Sequence, residues 1–473
     1  MRITGKTVWI LPSAVSLFFL FSCVSVDQPA PTKGPTEYSR IQFGTELNGL
    51  LEENRFNDAI ELFSHVPEPD ASDPAILRLK LAVLISAQNF EEATILANNL
   101  ESATPNDPDI LYFQAVLSGA QGNPKGRTKY LNKVIQLKPD HSLALAGVGL
   151  DLLARKNYKQ AKEWLVKAVS ANPKNTDALL GLGRAYYMDN DLTKAEDMLS
   201  LAISQDPQHS VLWAERARVY SENGNRPKAL EDIQKAIALD KTVYGHWLDY
   251  GTYLMSMGRQ KPSRDAFTEA LKIDPEQYIA YIYRAGLNDD LGDTKAAISD
   301  YQNIVRLYPQ YYFAAESLGI LLWGQGDYAG SSEAFLQALT YNAKNTSYAL
   351  MYTLCLYQEN RPDDAKNFMS KYLTTLDRTT TEYFLCRLFV DKSGDADVLN
   401  RIMREKNINN RNRMLFYSAM YYELFQSTSI AQKYYLEVVS VPVPNFFEYR
   451  LSQWALSNLE SAVQKSNKKD IKG

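Results

Sequence analysis

The chain has 473 residues, of which 45% are hydrophobic and 22% are charged. This balance supplies enough apolar side chains for a buried core, so it excludes a chain that is disordered throughout. The formal net charge is −4, and lysine and arginine are spread along the sequence instead of forming a basic stripe, so nucleic acid is not an expected partner.

The first 22 residues have the order of a bacterial signal peptide. Arg2 and Lys6 give a positive start, and the largely apolar stretch 8–21 is too short for a membrane span. The segment ends Leu20-Phe21-Ser22-Cys23, which resembles the lipobox, in which a small residue precedes a cysteine that is lipidated and becomes the first residue of the mature chain. The resemblance implies a lipoprotein with palmitate at Cys23. An uncleaved N-terminal anchor and a simple secretory signal are the alternatives.

Residues 23–37 are predicted to form a flexible tether, because the segment is polar and proline-rich. Val24 follows the lipobox cysteine, where enteric bacteria use aspartate to retain lipoproteins in the inner membrane. The lipoprotein resemblance therefore implies an outer-membrane protein that faces the periplasm and is attached to the membrane through its N-terminal lipid.

The sequence has a 34-residue period. It is marked by prolines at positions that share this interval or twice it: Pro105, Pro139, Pro173, Pro207, Pro275 and Pro309. Lys241 stands at the one missed position. A fixed period of this length is typical of one structural unit that is copied and stacked. Repeats occupy nearly the whole chain and leave no room for a separate catalytic domain.

The segment Thr176–His209 serves as the reference repeat. It carries Leu179, Leu182, Gly183 and Tyr186, then Ala195, Leu199 and Ala202, then Pro207. This pattern resembles the tetratricopeptide repeat (TPR). The resemblance implies an all-α fold, a right-handed TPR superhelix of about 11–12 helix pairs with a C-terminal capping helix. In the reference repeat we expect a first helix near 177–189 and a second near 193–205.

The rest of the chain is divided by how well it keeps this pattern. We predict weaker repeat-like units in 38–107, a regular array in 108–345, irregular units and the capping helix in 346–464, and a disordered tail in 465–473. Alanines that recur at the repeat interval are expected where helices approach closely, in one series Ala93, Ala161, Ala195, Ala229 and Ala297 and in another Ala168, Ala202, Ala236, Ala270 and Ala338. Glycines at 224, 258, 292 and 326 are expected in turns that need a positive φ.

The C-terminal run from Phe416 to Arg450, with Phe416-Tyr417, Tyr421-Tyr422 and Pro444-Asn445-Phe446-Phe447-Glu448-Tyr449-Arg450, is similar to the last repeat of the TPR lipoprotein family called new lipoprotein I. Members of that family act as adaptors for periplasmic proteases and cell-wall enzymes. This chain is longer and has more regular repeats.

No catalytic, metal or cofactor motif is found in the sequence. The four histidines (His65, His141, His209 and His246) lack metal-site spacing, and no phosphate loop or nucleophile elbow occurs. We expect all four histidines to be surface or turn residues. Cys355 and Cys386 could pair in an oxidising periplasm, but two buried thiols are the preferred interpretation. The chain is therefore predicted not to be an enzyme.

In TPR folds the first helices line a concave groove. The resemblance places these residues in a partner-binding groove: Asp177, Arg184, Tyr187, Glu215, Arg218, Asp249, Tyr283, Asp289, Glu316 and Trp323. Aromatic residues and arginine dominate the energetics of many interfaces. The alternative for any one of them is that the tyrosine is core or the charge belongs to a solvated face.

Together these features predict a non-enzymatic scaffold or adaptor of the bacterial envelope that binds proteins or extended peptides. The other hypothesis is a ligand-binding or delivery component that partners a periplasmic transporter subunit.

Overall fold

A computed structural model describes residues 39–53 and 55–470. Within these residues it contains twenty-five α-helices, three short 3₁₀ helices and no strand. The signal peptide, Cys23 and the tether lie outside the described residues. Among the described helices, none is both long and apolar enough to cross a bilayer.

The helices form two compact units that divide after Tyr253. The helices of unit 1 are α1 (Arg40–Glu52), α2 (Phe56–Leu62), α3 (Pro74–Ser86), α4 (Phe90–Ala103), α5 (Pro108–Ala120), α6 (Pro124–Leu137), α7 (Ser142–Ala154), α8 (Tyr158–Ala171), α9 (Thr176–Met188), α10 (Leu192–Gln205), α11 (Ser210–Glu222), α12 (Arg226–Leu239) and α13 (Tyr244–Ser256), in which the division falls. The 3₁₀ helices Phe63–His65 and Asp70–Ser72 also belong to this unit.

Unit 2 begins at Leu254. Its helices are α14 (Gln260–Ile273), α15 (Tyr278–Asp290), α16 (Thr294–Leu307), α17 (Tyr312–Gln325), α18 (Tyr328–Tyr341), α19 (Thr346–Gln358), α20 (Pro362–Tyr372), α21 (Thr381–Asp391), α22 (Asp395–Met403), α23 (Ile408–Phe425), α24 (Thr428–Val439) and α25 (Glu448–Asp470), with a 3₁₀ helix at Leu373–Thr375. In both units the first helix of a repeat packs on the second helix of that repeat. The second helix in turn packs on the first helix of the next repeat. The predicted TPR solenoid of helix pairs is thus confirmed.

The reference repeat shows how local sequence sets the helix ends. Its helices α9 and α10 match the predicted ranges within a residue. Asn175 caps α9 by accepting a hydrogen bond from the backbone N–H of Ala178 at 3.0 Å. Asp191 caps α10 in the same way, by accepting a hydrogen bond from the backbone N–H of Lys194 at 3.3 Å. Pro207 follows two residues after α10 ends, since proline cannot continue the backbone hydrogen bonds of a helix.

The turn between the two helices of a repeat recurs at the 34-residue interval without the gap that occurs in the proline series. Residues with positive φ recur at every 34th position, whether or not they are glycine: Gln88, Gly122, Lys156, Asn190, Gly224, Gly258, Gly292, Gly326, Asn360 and Gly394. Lys241 interrupts only the proline series, because α12 still ends at Leu239, two residues before it. Within the segment predicted to hold irregular units, Gly394 still places the turn between α21 and α22 on the 34-residue positions.

Small residues sit where the helices approach closely, as predicted. Every alanine of the two recurring series is fully buried. Gly183 plays the same part, because a Cβ on it would lie 2.8 Å from Cγ of Leu199 on the second helix of the repeat. Any larger side chain there would have to push the two helices apart.

The C-terminal part of unit 2 departs from the regular repeat. Helix α23 has 18 residues, so the turn that follows it no longer falls on the 34-residue positions. The sequence predicts a disordered tail from residue 465, but α25 continues to Asp470. Cys355 and Cys386 are free and fully buried, which confirms the interpretation as core thiols.

Candidate partner-binding surfaces

Four predicted groove residues form one chain of ion pairs on the first helices of unit 1. Arg184 of α9 donates to Glu215 of α11 at 2.7 Å, and Arg218 of α11 donates to the same carboxylate at 3.0 Å. Arg218 then reaches Asp249 of α13 at 2.8 Å. We call Arg184, Tyr187, Glu215, Arg218 and Asp249 the unit-1 face.

The charges of the unit-1 face balance one another. Burial works to raise the pKa of Glu215, but the guanidinium groups of Arg184 and Arg218 outweigh it and lower that pKa. Burial raises the pKa of Asp249, because only Arg218 opposes it. The Arg218 side chain keeps 41% of its surface exposed. A guanidinium has five N–H donors, so Arg218 retains donors for a bound peptide.

Tyr187 and Asp177 differ in accessibility. Tyr187 is half-buried beside the ion-pair chain, and burial, followed by the negative charge of Glu222, raises its pKa. Such a ring offers apolar area next to charge, which suits an interface. Asp177, by contrast, is buried and lines a small internal cavity with Arg127 and Tyr112, so it does not belong to an accessible groove.

Two histidines predicted at the surface or in turns are buried in unit 1. His141 accepts a hydrogen bond from the backbone N–H of Ala144 at 3.2 Å, which makes it the cap of α7. His246 lies 3.1 Å from the hydroxyl of Ser210, and burial lowers its pKa. His141 therefore lies in the turn before α7, as predicted, whereas His246 is a packing residue inside α13. In the part of the chain that the structure describes, no cluster of histidine, cysteine, aspartate or glutamate is arranged to hold a metal ion.

In unit 2 the predicted groove residues meet partners from the protein itself. Tyr283 stacks on Phe267 with ring centroids 5.1 Å apart. The carboxylate of Glu316 accepts a hydrogen bond from the hydroxyl of Tyr348 at 2.6 Å. Trp323 packs edge-on against Tyr328 with centroids 5.0 Å apart.

The remaining predicted residue, Asp289, binds the last helix of the chain. Arg450 of α25 donates to both carboxylate oxygens of Asp289, at 2.7 and 2.8 Å, across 161 residues of sequence. The bidentate geometry fixes both position and orientation of the helix. The expected capping helix therefore does more than cover the last repeat, because it also contacts α15 and α17.

A cleft of about 480 Å³ lies beside α25 in unit 2. Its lining includes Trp323, Tyr328, Glu423 and Trp454. Glu423 accepts a hydrogen bond from the hydroxyl of Tyr435 at 2.6 Å, so this carboxylate has an internal partner. The exposed lining is mostly polar, and the aromatic rings of Trp323, Tyr328 and Trp454 interrupt it.

Sequence reasoning missed a buried ion pair that recurs at twice the repeat length. Arg216 binds Asp232, and Arg284 binds Asp300 in the same way. The sequence separation between arginine and aspartate is the same in both pairs. This repeated spacing was the signal from which the ion pairs could have been predicted. The pairs join first and second helices and are structural.

Comparisons with known families and structures agree with this architecture. A family model described as tetratricopeptide repeat matches residues 152–219, and a second model of the same description matches residues 248–312 and 317–374. The chain therefore contains tetratricopeptide repeats, which generally bind proteins or peptides.

Solved structures resemble the chain at low identity. Pseudomonas aeruginosa pilF is 20% identical over 45% of this chain and 94% of that chain, with a TM-score of 0.39. A tetratricopeptide repeat protein from Parabacteroides merdae is 19% identical over 53% of this chain and 98% of that chain, with a TM-score of 0.37. YrrB, a TPR protein, is 16% identical over 40% and 96%, with a TM-score of 0.33. These likenesses are too distant to carry an argument about function. A search among curated proteins gave no match.

Proposed function

We propose that the protein is a non-enzymatic scaffold or adaptor that binds partner proteins or extended peptides on the unit-1 face. The observation that carries the proposal is the continuous chain from Arg184 through Glu215 and Arg218 to Asp249, which spans three successive first helices. It presents the partly exposed side chain of Arg218 near Tyr187. Arginine and tyrosine in one accessible patch are the residues most often responsible for binding energy.

The internal ion pairs also suit a polar partner. Because Glu215 and Asp249 hold the guanidinium of Arg218 in place, its remaining donors are oriented before binding, which lowers the entropy lost on association. A peptide backbone carbonyl or an acidic side chain is the complementary group.

The test uses a photo-crosslinking amino acid in place of Tyr187 in cells, followed by mass spectrometry. We expect specific proteins to be captured, and we expect Arg218→Glu to abolish that capture. Arg226, an exposed arginine on the second helix α12, supplies the matched control Arg226→Glu, which should leave capture unchanged. Equal capture in all three chains would refute binding at this face.

We further propose that the protein is anchored by lipid at Cys23 in the bacterial envelope, as an outer-membrane protein facing the periplasm. The lipobox-like run before Cys23, Val24 after it and the similarity of the C-terminal run to the new lipoprotein I family support this. Labelled palmitate should enter the wild-type chain and not Cys23→Ala. Label that persists in the variant would rule out this anchor.

The cleft in unit 2 favours one second candidate, a ligand-binding or delivery component that works with a transporter subunit. Its Trp323 ring would contact the ligand. Screening small molecules by thermal shift, with Trp323→Ala as the comparison, tests this candidate. A ligand that stabilises wild type and Trp323→Ala equally would count against the cleft.

A further inference from the structure

Helix α25 packs mainly on α24 and α23 as a cap does, and it also reaches α15 and α17 farther back in the chain. We define the unit-2 face as the surface that α25 and the preceding residue Phe447 contact, formed by Asp289, Gly324, Phe335, Tyr348 and Tyr417. We propose that this face is a receptor for a segment in which a phenylalanine directly precedes an amphipathic helix that carries arginine and tryptophan, at the spacing of Phe447, Arg450 and Trp454. In the protein alone α25 occupies the receptor, and a partner helix with the same pattern displaces it. This inference rests on the proposed function as a protein-binding scaffold.

Charge complementarity selects the arginine of the helix. Arg450 makes two hydrogen bonds to Asp289, and the side chains of the two residues are 38% and 20% exposed. The pair is therefore reachable from solvent. Partly exposed ion pairs contribute little net stability, so a competing arginine can replace Arg450 at small cost.

Shape complementarity selects the tryptophan. The ring of Trp454 lies against Gly324, where a Cβ would be 2.6 Å from the ring. The guanidinium of Arg450 stacks over the same ring at 4.6 Å from its centroid. Arginine and tryptophan one helical turn apart thus act as one unit, with the ring in a glycine notch and the charge on Asp289.

Aromatic stacking favours the phenylalanine that directly precedes the helix. The ring of Phe447 stacks on both Phe335 and Tyr348, with centroids 5.9 and 6.4 Å away, and these two rings also contact each other. Next to it, the buried carboxyl of Glu448 accepts a hydrogen bond from the hydroxyl of Tyr417 at 2.7 Å. These contacts hold the N-terminal end of α25 more firmly than the half-exposed Arg450 and Trp454 hold the rest.

The resident helix leaves the face incompletely filled. The cleft of about 480 Å³ runs along α25 beside Trp454 and Ser457. Beyond Trp454, the residues Ser457, Asn458 and Glu460 of α25 are exposed and small or polar. A partner helix with longer side chains at the positions facing the cleft would contact its exposed polar lining at Gln325, Gln358 and Glu423, which gives it the advantage needed for displacement.

The test is binding of a fluorescent peptide of residues 445–461 to the full chain. Wild type should bind it weakly, because its own α25 occupies the face. Arg450→Glu should bind it about tenfold more tightly, since apparent affinity rises with the fraction of chains whose face is open. In the charge-swapped chain Asp289→Arg/Arg450→Glu, the two residues can pair again, so α25 should reoccupy the face. The arginine of the peptide would also meet an arginine at position 289, so binding of the peptide should again be weak.

The control is Arg387→Glu, which reverses an exposed arginine that pairs within its own helix α21. It should behave as wild type. Hydrogen exchange of α25 is measured on every chain, and Trp454→Ala replaces Arg450→Glu if the latter does not fold.

Three outcomes would overturn the inference. In the first, α25 loses its exchange protection in Arg450→Glu and the peptide still does not bind, so the face is not a receptor. In the second, α25 keeps its protection and the peptide does not bind, so the helix is a fixed part of the fold. In the third, wild type is a dimer that exchanges α25 between copies, so the occupant is a second copy. Capture of partners through Tyr187 is scored separately, and its failure would instead count against the proposed function.

Discussion

Arg216 and Asp232 form a bidentate ion pair, with Nε and Nη2 of the guanidinium 2.7 and 3.0 Å from the carboxylate oxygens. Nη1 of Arg216 also reaches the hydroxyl of Ser200, on the second helix of the preceding repeat, at 3.1 Å. One arginine therefore ties together three consecutive helices. Two repeats later Arg284 makes the same three contacts.

Removing the carboxylate should destabilise unit 1. Asp232→Ala leaves a largely buried guanidinium without its partner, and losing one member of such a pair costs about 3 kcal/mol. Urea unfolding followed by circular dichroism measures the change. The exposed neighbour Glu231 gives the control Glu231→Ala, which should change the free energy of unfolding by less than about 0.5 kcal/mol. A stable Asp232→Ala chain would show that water replaces the carboxylate.

Enlarging a recurring alanine should also destabilise the repeat. Ala195 is fully buried where α9 and α10 meet. Ala195→Leu overpacks this junction, and we expect a loss of about 1–3 kcal/mol in the free energy of unfolding. A lower melting temperature would confirm the placement. Lys194→Leu, at the exposed neighbouring position, is the matched control and should melt close to wild type.

The two core thiols should be inert in the folded protein. Burial raises the pKa of Cys355 to about 12 and also raises the pKa of Cys386. At pH 8 both remain protonated, and the thiol is a poor nucleophile compared with the thiolate. In a Cys23→Ser chain, a thiol reagent should react with neither in buffer and with both in urea. Fast reaction of either thiol in buffer would contradict its burial.

The pH dependence of stability should change when Glu448 is neutralised. Burial raises the pKa of Glu448, so the folded state binds a proton more readily than the unfolded state does. The wild-type free energy of unfolding therefore falls as pH rises from the usual carboxyl pKa through the raised one, by about 1.4 kcal/mol for each unit of the shift.

Glu448→Gln keeps an oxygen that can accept the hydrogen bond of Tyr417 and removes the charge. We expect it to be more stable than wild type at pH 7 and about equal at pH 4. Unfolding by urea at both values measures this. A variant that is less stable than wild type at pH 7 would mean that the charge itself stabilises the contact with Tyr417.

Much of the repeat architecture could be read from the sequence because its determinants are local. The turn residues, the caps and the alanines act on neighbours within one or two helices, so their spacing alone predicts the helix ends. For the unit-1 face, the sequence predicted only that these residues line the groove formed by the first helices, and it did not predict their ion pairs. Its pairing depends on which first helix lies beside which, and a side-chain contact across helices leaves no local pattern.

By itself, the sequence determined that this protein is a stack of helix pairs, because each 34-residue unit repeats the same pattern of buried positions and the same turn between two helices. The tertiary structure alone decided that Asp177 and His246 are buried and that α25 returns to the repeats before it. Arg450 and Asp289 are separated by 161 residues. No spacing rule connects them, since their meeting depends on the summed geometry of all the helices between.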